Sequence, residues 1–135
     1  MKSNNNSAPQ GSSLGVKKGK LAPCKTSPNC VSSQAEDKHY LSPINYKNLT
    51  QARQVILTLV KELPNSKIIE KKQDYIRAEV KSGFFKFIDD VEFYFSEKEK
   101  KIHFRSAARS GYWDLGVNKK RMKEIKDQFA NCQKR

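Results

Sequence analysis

The sequence predicts an α+β fold in which a four-stranded antiparallel β-meander is flanked by an N-terminal and a C-terminal helix, both packed on one face. Two segments repeat their apolar residues with the period of an amphipathic helix. Four consecutive segments between them alternate apolar and polar residues, and short connections join these four. The chain has 135 residues, which is the usual size of one domain.

The first helix is expected to begin near Asn48 or Thr50 and to end at Pro64, because proline cannot continue a helix. Apolar residues recur at i, i+3 and i+4 spacings in this segment, which places them on one face. They are Ala52, Val55, Ile56, Leu59, Val60 and Leu63.

Four strands are expected to follow, at residues 67–71, 75–81, 87–95 and 101–107. Their period-two alternation predicts one face buried against the helices and one face in water. The residues expected on the wet face are Arg77, Asp90, Glu92, His103 and Arg105. Matching the inward faces of the last two strands predicts four facing pairs. These are Phe93 with Ile102, Val91 with Phe104, Glu92 with His103, and Asp90 with Arg105.

The second helix is expected from about Asn118 to Cys132. Asn118 is a favourable N-cap residue, and Val117 with Met122 could form a hydrophobic staple. Its narrow apolar stripe consists of Met122, Ile125, Phe129 and Cys132.

The predicted organisation is a disordered basic and polar arm at residues 1–20 and a single α+β domain at residues 21–133. The arm has too few apolar residues to offset the entropy of ordering it. The domain divides into a cysteine-containing lead-in, residues 21–46, and a helix–sheet–helix core, residues 47–133. No segment has the length and apolarity of a transmembrane helix or of a secretory signal, so a cytoplasmic location is expected.

Cys24 and Cys30 flank a turn-rich stretch and leave three alternatives open: structural thiols or a disulfide, two metal ligands, or a reactive thiol. A zinc site would need two more ligands from His39, His103 and Cys132, whose spacing matches no established zinc pattern. We therefore expect no metal and no cofactor.

The connection between the fourth strand and the second helix concentrates candidate site residues around Gly111 and Gly116. Cations in the first turn of the helix oppose its dipole, which indicates a compensating anion. Asp89, Asp90 and Asp114 are the internal candidates, and a phosphate or carboxylate of a ligand is the external one. The residues expected to bind the ligand are Arg105, Arg109, Asp114, Asn118, Lys119 and Arg121.

The charge of the chain also favours anionic partners. Lys and Arg total 27 against 14 Asp and Glu, a formal net charge of +13, although a solvated basic surface is the structural alternative. An anionic small molecule or an acidic protein fits this balance. Nucleic acid is the less favoured partner, because no nucleic-acid motif occurs and no aromatic residues are interleaved with the basic residues of the last helix.

Several motifs of the chain together resemble the DUF1499 family of proteins of unknown function. They are Pro23-Cys24, SPNCVSSQ at 27–34, FIDDVEF at 87–93, RSA at 105–107 and GVNKKR at 116–121. The likeness extends from Leu21 to Phe129 and implies the boundary of the domain and a signature surface made by these motifs. It implies no particular activity, and relatives are often exported or membrane-linked.

The leading hypothesis is non-enzymatic binding of an anionic ligand or partner through the Arg/Gly loop and the start of the last helix. The alternative is an enzyme or metal site that uses Cys24 or Cys30 with His39 or His103. A second alternative is non-specific nucleic-acid binding by the basic C-terminal helix.

Overall fold

The computed structural model describes residues 14–82, 87–111 and 114–133. Within these ranges the protein has an α+β architecture with two helices, α1 (Leu49–Lys61) and α2 (Val117–Gln133). Two short strands, β1 (Val16–Lys17) and β2 (Lys20–Leu21), form a separate hairpin. The remaining strands form one sheet: β3 (Cys30–Ser32), β4 (Ile44–Asn45), β5 (Ser66–Lys71), β6 (Tyr75–Ser82), β7 (Phe87–Ser96) and β8 (Lys101–Ala108).

The predicted meander forms most of this sheet, but the sheet has six strands rather than four. Its order is β3-β8-β7-β6-β5, and β4 also pairs with β8; every pairing is antiparallel. The two additional strands come from the lead-in, where Ser32 faces Arg105 and Ile44 faces Ile102. Strands of two or three residues are too short to show a period-two pattern, so the sequence did not reveal them.

The predicted register between β7 and β8 is wrong by two residues. Phe93 faces Phe104, Glu92 faces Arg105, and Ser96 faces Lys101. The expected pairs would require a two-residue turn, whereas the observed turn has the four residues between Ser96 and Lys101, the last with φ of 56°. Because the shift is an even number, every side chain keeps its predicted face.

Both helices cover one face of the sheet and share one core with it. The central inward positions of β6, β7 and β8 are buried, as predicted for Val91, Phe93 and Phe104, whereas Phe87 at the start of β7 is 42% exposed. From the helices the core receives Ala52, Ile56, Leu59, Val60, Met122, Ile125 and Phe129.

The opposite face is not in water, which corrects the expectation. Its exposed fractions are 8% for Arg77, 3% for Asp90, 0% for Glu92, 7% for His103 and 8% for Arg105. The β1–β2 hairpin lies against Glu92, and the charged side chains pack on one another in ion pairs. The alternation of apolar and polar residues shows which side chains point away from the apolar core. It does not show whether those side chains contact water or other polar side chains.

Helix α1 begins as predicted, with the Oδ1 atom of Asn48 accepting a hydrogen bond from the Gln51 N–H at 2.8 Å. Helix α2 begins at Val117, so Asn118 lies inside its first turn. The predicted Asn118 cap and the Val117–Met122 staple are therefore wrong.

Part of the predicted N-terminal arm, residues 1–13, lies outside the described residues. Residues 14–21 carry the β1–β2 hairpin, in which Lys18 and Gly19 form the two-residue turn with φ of 53° and 77°. Positive φ at both turn positions is typical of the type I′ turn that joins strands tightly. No helix among the described residues is long and apolar enough to cross a membrane.

Candidate functional site

The predicted site residues do not meet at one point, because successive residues of a strand point to opposite faces of the sheet. Arg105 and Arg109 lie on the polar outer face. Asp114, Asn118 and Arg121 lie on the helix side of the sheet with Ser106 and Asp89. Lys119 lies exposed on α2.

The helix-side group is a closed hydrogen-bond network under the start of α2. Arg121 donates to Asp89 Oδ2 at 2.9 Å and to Asn118 Oδ1 at 2.7 Å. The Ser106 hydroxyl donates to the same Asn118 oxygen at 2.6 Å. Burial raises the pKa of Asp89, which is 2% exposed, although the Arg121 guanidinium opposes that shift. Every charge in this network has an internal partner.

Asp114 is the anion that compensates for the cations in the first turn of α2. Its Oδ1 atom accepts from the Gly116 N–H at 2.8 Å, and its Oδ2 atom accepts from the Asn118 N–H at 3.0 Å and the Asn118 Nδ2 at 2.7 Å. Leu115 and Gly116 adopt positive φ to bring the carboxylate back to the helix. The sequence named Asp114 as an internal candidate, and the structure places it at this position.

Replacing Asp114 with alanine should lower the free energy of unfolding by about 0.5–2 kcal/mol, the range measured for loss of a helix N-terminal capping side chain. Urea denaturation followed by far-UV circular dichroism measures this change. Asp127→Ala, an exposed acid farther along α2, is the matched control and should be nearly neutral. Equal effects of the two substitutions would contradict the assigned role.

The outer-face group centres on Asp90, which lies between two arginines. Arg109 donates from Nε to Asp90 Oδ2 at 2.8 Å and from Nη2 to Asp90 Oδ1 at 3.0 Å, and it also pairs with Glu79. Arg77 Nη1 lies 3.3 Å from Asp90 Oδ1. The hydrogen bonds that Arg109 donates to Asp90 raise the pKa of Arg109 above its ordinary value.

Arg105 and Glu92 form a long ion pair on this face. Arg105 Nη1 lies 3.5 Å from Glu92 Oε1, whereas Glu92 Oε2 accepts shorter hydrogen bonds from the Tyr75 hydroxyl at 2.6 Å and the Gly15 N–H at 2.8 Å. Burial raises the pKa of both Glu92 and Tyr75. The described residues supply no hydrogen-bond partner to Arg105 Nε or Glu92 Oε1. Arg105 therefore has a carboxylate partner, as do the other buried arginines, Arg77, Arg109 and Arg121.

The cysteine and histidine residues do not form a metal or catalytic cluster in the described part of the chain. Cys24 and Cys30 are joined by a disulfide with a Cα–Cα distance of 5.7 Å. The His103 ring lies between Glu99 and Ser33. The described ranges contain no group of three or more His, Cys, Asp or Glu side chains that could hold a metal ion. Cys132, the third cysteine, is a half-buried free thiol on α2.

His39 ties the disulfide loop, residues 24–30, to the following turn. Its Nδ1 lies 2.8 Å from Asp37 Oδ1, and its Nε2 lies 2.9 Å from the Ser27 carbonyl oxygen. The backbone N–H and the ring of His39 hold the pKa of Asp37 below its ordinary value. The position of Lys38, between these two residues, therefore depends partly on the disulfide loop and partly on the hydrogen bond from the Ser32 N–H to the His39 carbonyl at 2.9 Å.

Asn29 ties the same loop to the connection between β8 and α2. Its Nδ2 donates to the Gly111 carbonyl at 2.7 Å, and its own carbonyl accepts from the Ala108 N–H at 3.1 Å and from Asn118 Nδ2 at 3.4 Å. The disulfide loop and the start of α2 are thus held side by side.

A small open cleft of about 140 Å³, which we call the α2 cleft, lies between these two elements. Its lining consists of Pro28, Cys30, Val31, Lys38, His39, Gly116 and Lys119. Lys38 and Lys119 are exposed, and neither side chain forms an ion pair with a carboxylate of the described residues. The Lys119 N–H, in the first turn of α2, has no hydrogen bond within the same residues. Lys38 was not identified as a site residue from the sequence, because no sequence pattern connects it to α2.

The match to a family model decides the relationship of this chain to other proteins. Residues 20–129 match the model of DUF1499, described as a protein of unknown function. The chain belongs to the DUF1499 family. This match confirms the resemblance inferred from the motifs. No curated protein matches the chain significantly.

The motifs that carry the resemblance occupy both sides of the α2 cleft in this DUF1499 domain. Residues 27–34 supply Pro28, Cys30 and Val31, and residues 116–121 supply Gly116 and Lys119. The motif at 87–93 supplies the carboxylates that pair with the buried arginines. The structure therefore places these motifs around one cleft and in the ion pairs beside it.

Proposed function

We propose that this DUF1499 domain is a binding module for an anionic group, a phosphate or a carboxylate, and that the group binds in the α2 cleft. The observation that carries the proposal is the pair of exposed lysines, Lys38 and Lys119, which line one cleft without a carboxylate partner among the described residues. Ammonium groups on opposite walls of a small cleft provide charge-assisted hydrogen bonds to an oxyanion.

The buried arginines support the cleft and do not contact the anion in this proposal. Arg109 and Arg121 are satisfied by Asp90 and Asp89, and an external anion would have to displace a buried carboxylate to reach them. Among the residues predicted from the sequence, Lys119 contacts the ligand, and Asp114 and Asn118 fix the start of α2. Lys38 supplies the second contact.

The charge of the whole chain favours the same class of ligand. An excess of 27 basic over 14 acidic residues attracts anions from a distance. Contacts between exposed charges are screened beyond about 8 Å at physiological ionic strength, so the affinity should fall as salt increases. The phosphate or carboxylate can belong to a small molecule or to an acidic protein, because both present the same oxyanion.

Titration with inorganic phosphate, followed by amide chemical shifts in two-dimensional NMR spectra, tests the proposal. We expect saturable shifts at Lys38, Gly116 and Lys119, and at least a tenfold loss of affinity in the Lys38→Gln/Lys119→Gln variant. A tenfold loss corresponds to about 1.4 kcal/mol, which is less than two charge-assisted hydrogen bonds can contribute.

The control is Lys61→Gln/Lys98→Gln, which removes the same charge at two exposed positions outside the cleft. Equal losses of affinity in the two double variants would show that phosphate responds only to net charge, and the proposed site would be wrong. A parallel titration with acetate compares carboxylate with phosphate at the same residues.

A further inference from the structure

We infer that the Cys24–Cys30 disulfide controls anion binding in the α2 cleft, which has high affinity when the disulfide is formed and low affinity when it is reduced. The inference rests on the proposed function and adds a regulatory element to that site. It is carried by the contacts through which the disulfide loop holds one wall of the cleft.

The wall that carries Lys38 depends on the disulfide loop. Lys38 lies between Asp37 and His39, and the His39 ring bridges Asp37 Oδ1 and the Ser27 carbonyl oxygen. Ser27 is inside the ring that the disulfide closes, at residues 24–30. When this ring opens, Ser27 gains conformational freedom and the His39 ring loses a fixed partner. The hold on Lys38 relative to Lys119 is then reduced to backbone contacts such as the hydrogen bond from the Ser32 N–H to the His39 carbonyl at 2.9 Å.

The opposite wall belongs to α2 and does not depend on the disulfide directly. Lys119 is positioned by the first turn of the helix, which Asp114 caps. Asn29 of the loop donates to the Gly111 carbonyl at 2.7 Å and accepts the longer contact from Asn118 Nδ2 at 3.4 Å. Reduction therefore loosens one lysine and leaves the other in place, which removes the geometry that two-point binding needs.

The rest of the fold has its own support in the absence of the disulfide. Cys30 lies in β3, where it faces Ala107 of β8, and neither half-cystine belongs to the main hydrophobic core. The neighbouring Val31 is 1% exposed and packs in that core. We therefore expect the reduced protein to remain folded and to change only around the loop.

The co-reactant in the reduction is a dithiol, which supplies the two electrons. One thiolate attacks Cys24, the more exposed half-cystine, and Cys30 leaves as a thiolate that takes up a proton. The second thiol of the reductant attacks the mixed disulfide and releases Cys24. Two electrons and two protons pass to the protein, and the reductant becomes a cyclic disulfide. In a reducing compartment, disulfides of this kind are mostly transient and redox-sensing.

The test measures the phosphate affinity of the same sample in three states: oxidised, reduced with dithiothreitol, and reoxidised. Dithiothreitol carries no charge, so it does not compete with phosphate. We expect at least a fivefold loss of affinity on reduction, with a dispersed NMR spectrum retained and affinity restored on reoxidation. The Cys24→Ser/Cys30→Ser variant should bind like the reduced protein, and Cys132→Ser, which removes the free thiol, should respond to reduction as the unsubstituted protein does.

Each other outcome overturns a defined part of the inference. Equal affinity in the oxidised and reduced states overturns redox control and leaves the proposed function standing. A reduced protein that unfolds, or a response that disappears in Cys132→Ser, also overturns the control by this disulfide. Absence of phosphate binding by the oxidised protein overturns the proposed function and the regulation with it.

Discussion

Replacing Arg109 with alanine is expected to lower the free energy of unfolding by about 3–5 kcal/mol, the cost of removing one partner of a buried ion pair. The guanidinium is nearly inaccessible to water and bonds both carboxylate oxygens of Asp90, which is 3% exposed. After the substitution, the cation that Asp90 keeps among the described residues is Arg77, at the longer distance of 3.3 Å. Such a loss is a large part of the 5–15 kcal/mol typical of a domain.

Urea denaturation measures this loss, with Arg53→Ala as the control because the Arg53 side chain donates to the exposed Lys72 carbonyl on the surface. The folded Arg109→Ala protein should bind phosphate with an affinity within twofold of the unsubstituted protein, because Arg109 is not part of the α2 cleft. A stable variant that no longer binds phosphate would reverse the roles assigned here to arginine and lysine.

Replacing Arg121 with alanine is expected to cost a similar amount, about 3–5 kcal/mol at pH 7, because Asp89 would remain buried without its cation. The effect depends on pH. Burial already raises the pKa of Asp89 in the native state, and a carboxyl whose pKa is raised on folding destabilises the protein as pH rises through that pKa. Without Arg121 the pKa should rise further.

Unfolding measured at pH 4 and at pH 7 tests this prediction. The deficit of Arg121→Ala relative to the unsubstituted protein should be smaller at pH 4 than at pH 7, because a larger share of the Asp89 carboxyl is protonated at the lower pH. Lys123→Ala, an exposed cation on the same helix, should show no comparable dependence on pH. A deficit that is equal at both pH values would mean that the lost hydrogen bonds to Asn118 and Ser106, and not the charge on Asp89, determine the cost.

The sequence predicted the central elements of the fold well because each follows from a local repeat. Alternation in β7 identified Val91 and Phe93 as buried, and helical spacing identified Ile56 and Ile125. The position of α2 was wrong by one residue, because Asn118 is a good N-cap by residue type but Asp114 accepts from the Gly116 and Asn118 N–H groups, which starts the helix earlier. The register of β7 and β8 was wrong by two, since turn length is set by backbone geometry that composition does not specify.

The candidate site was predicted less well, because successive side chains of a strand point to opposite faces of the sheet. Arg105 and Ser106 are adjacent in sequence but lie on opposite faces of β8, so residues that look like one cluster form two networks. Lys38 and Lys119 are far apart in sequence, and only the disulfide loop and its contacts bring them to the same cleft. No local pattern connects them.

By itself, the sequence determined the α+β class, the order of the main helices and strands, the inward faces and membership in the DUF1499 family. The first three follow from residue type and spacing along the chain, and the family follows from the match of residues 20–129 to its model. Only the tertiary structure decided which carboxylate pairs with each arginine, that the outer face is buried, and which lysines remain free of internal partners in the described residues. Those outcomes depend on distances between side chains from different strands and loops, and packing alone sets such distances.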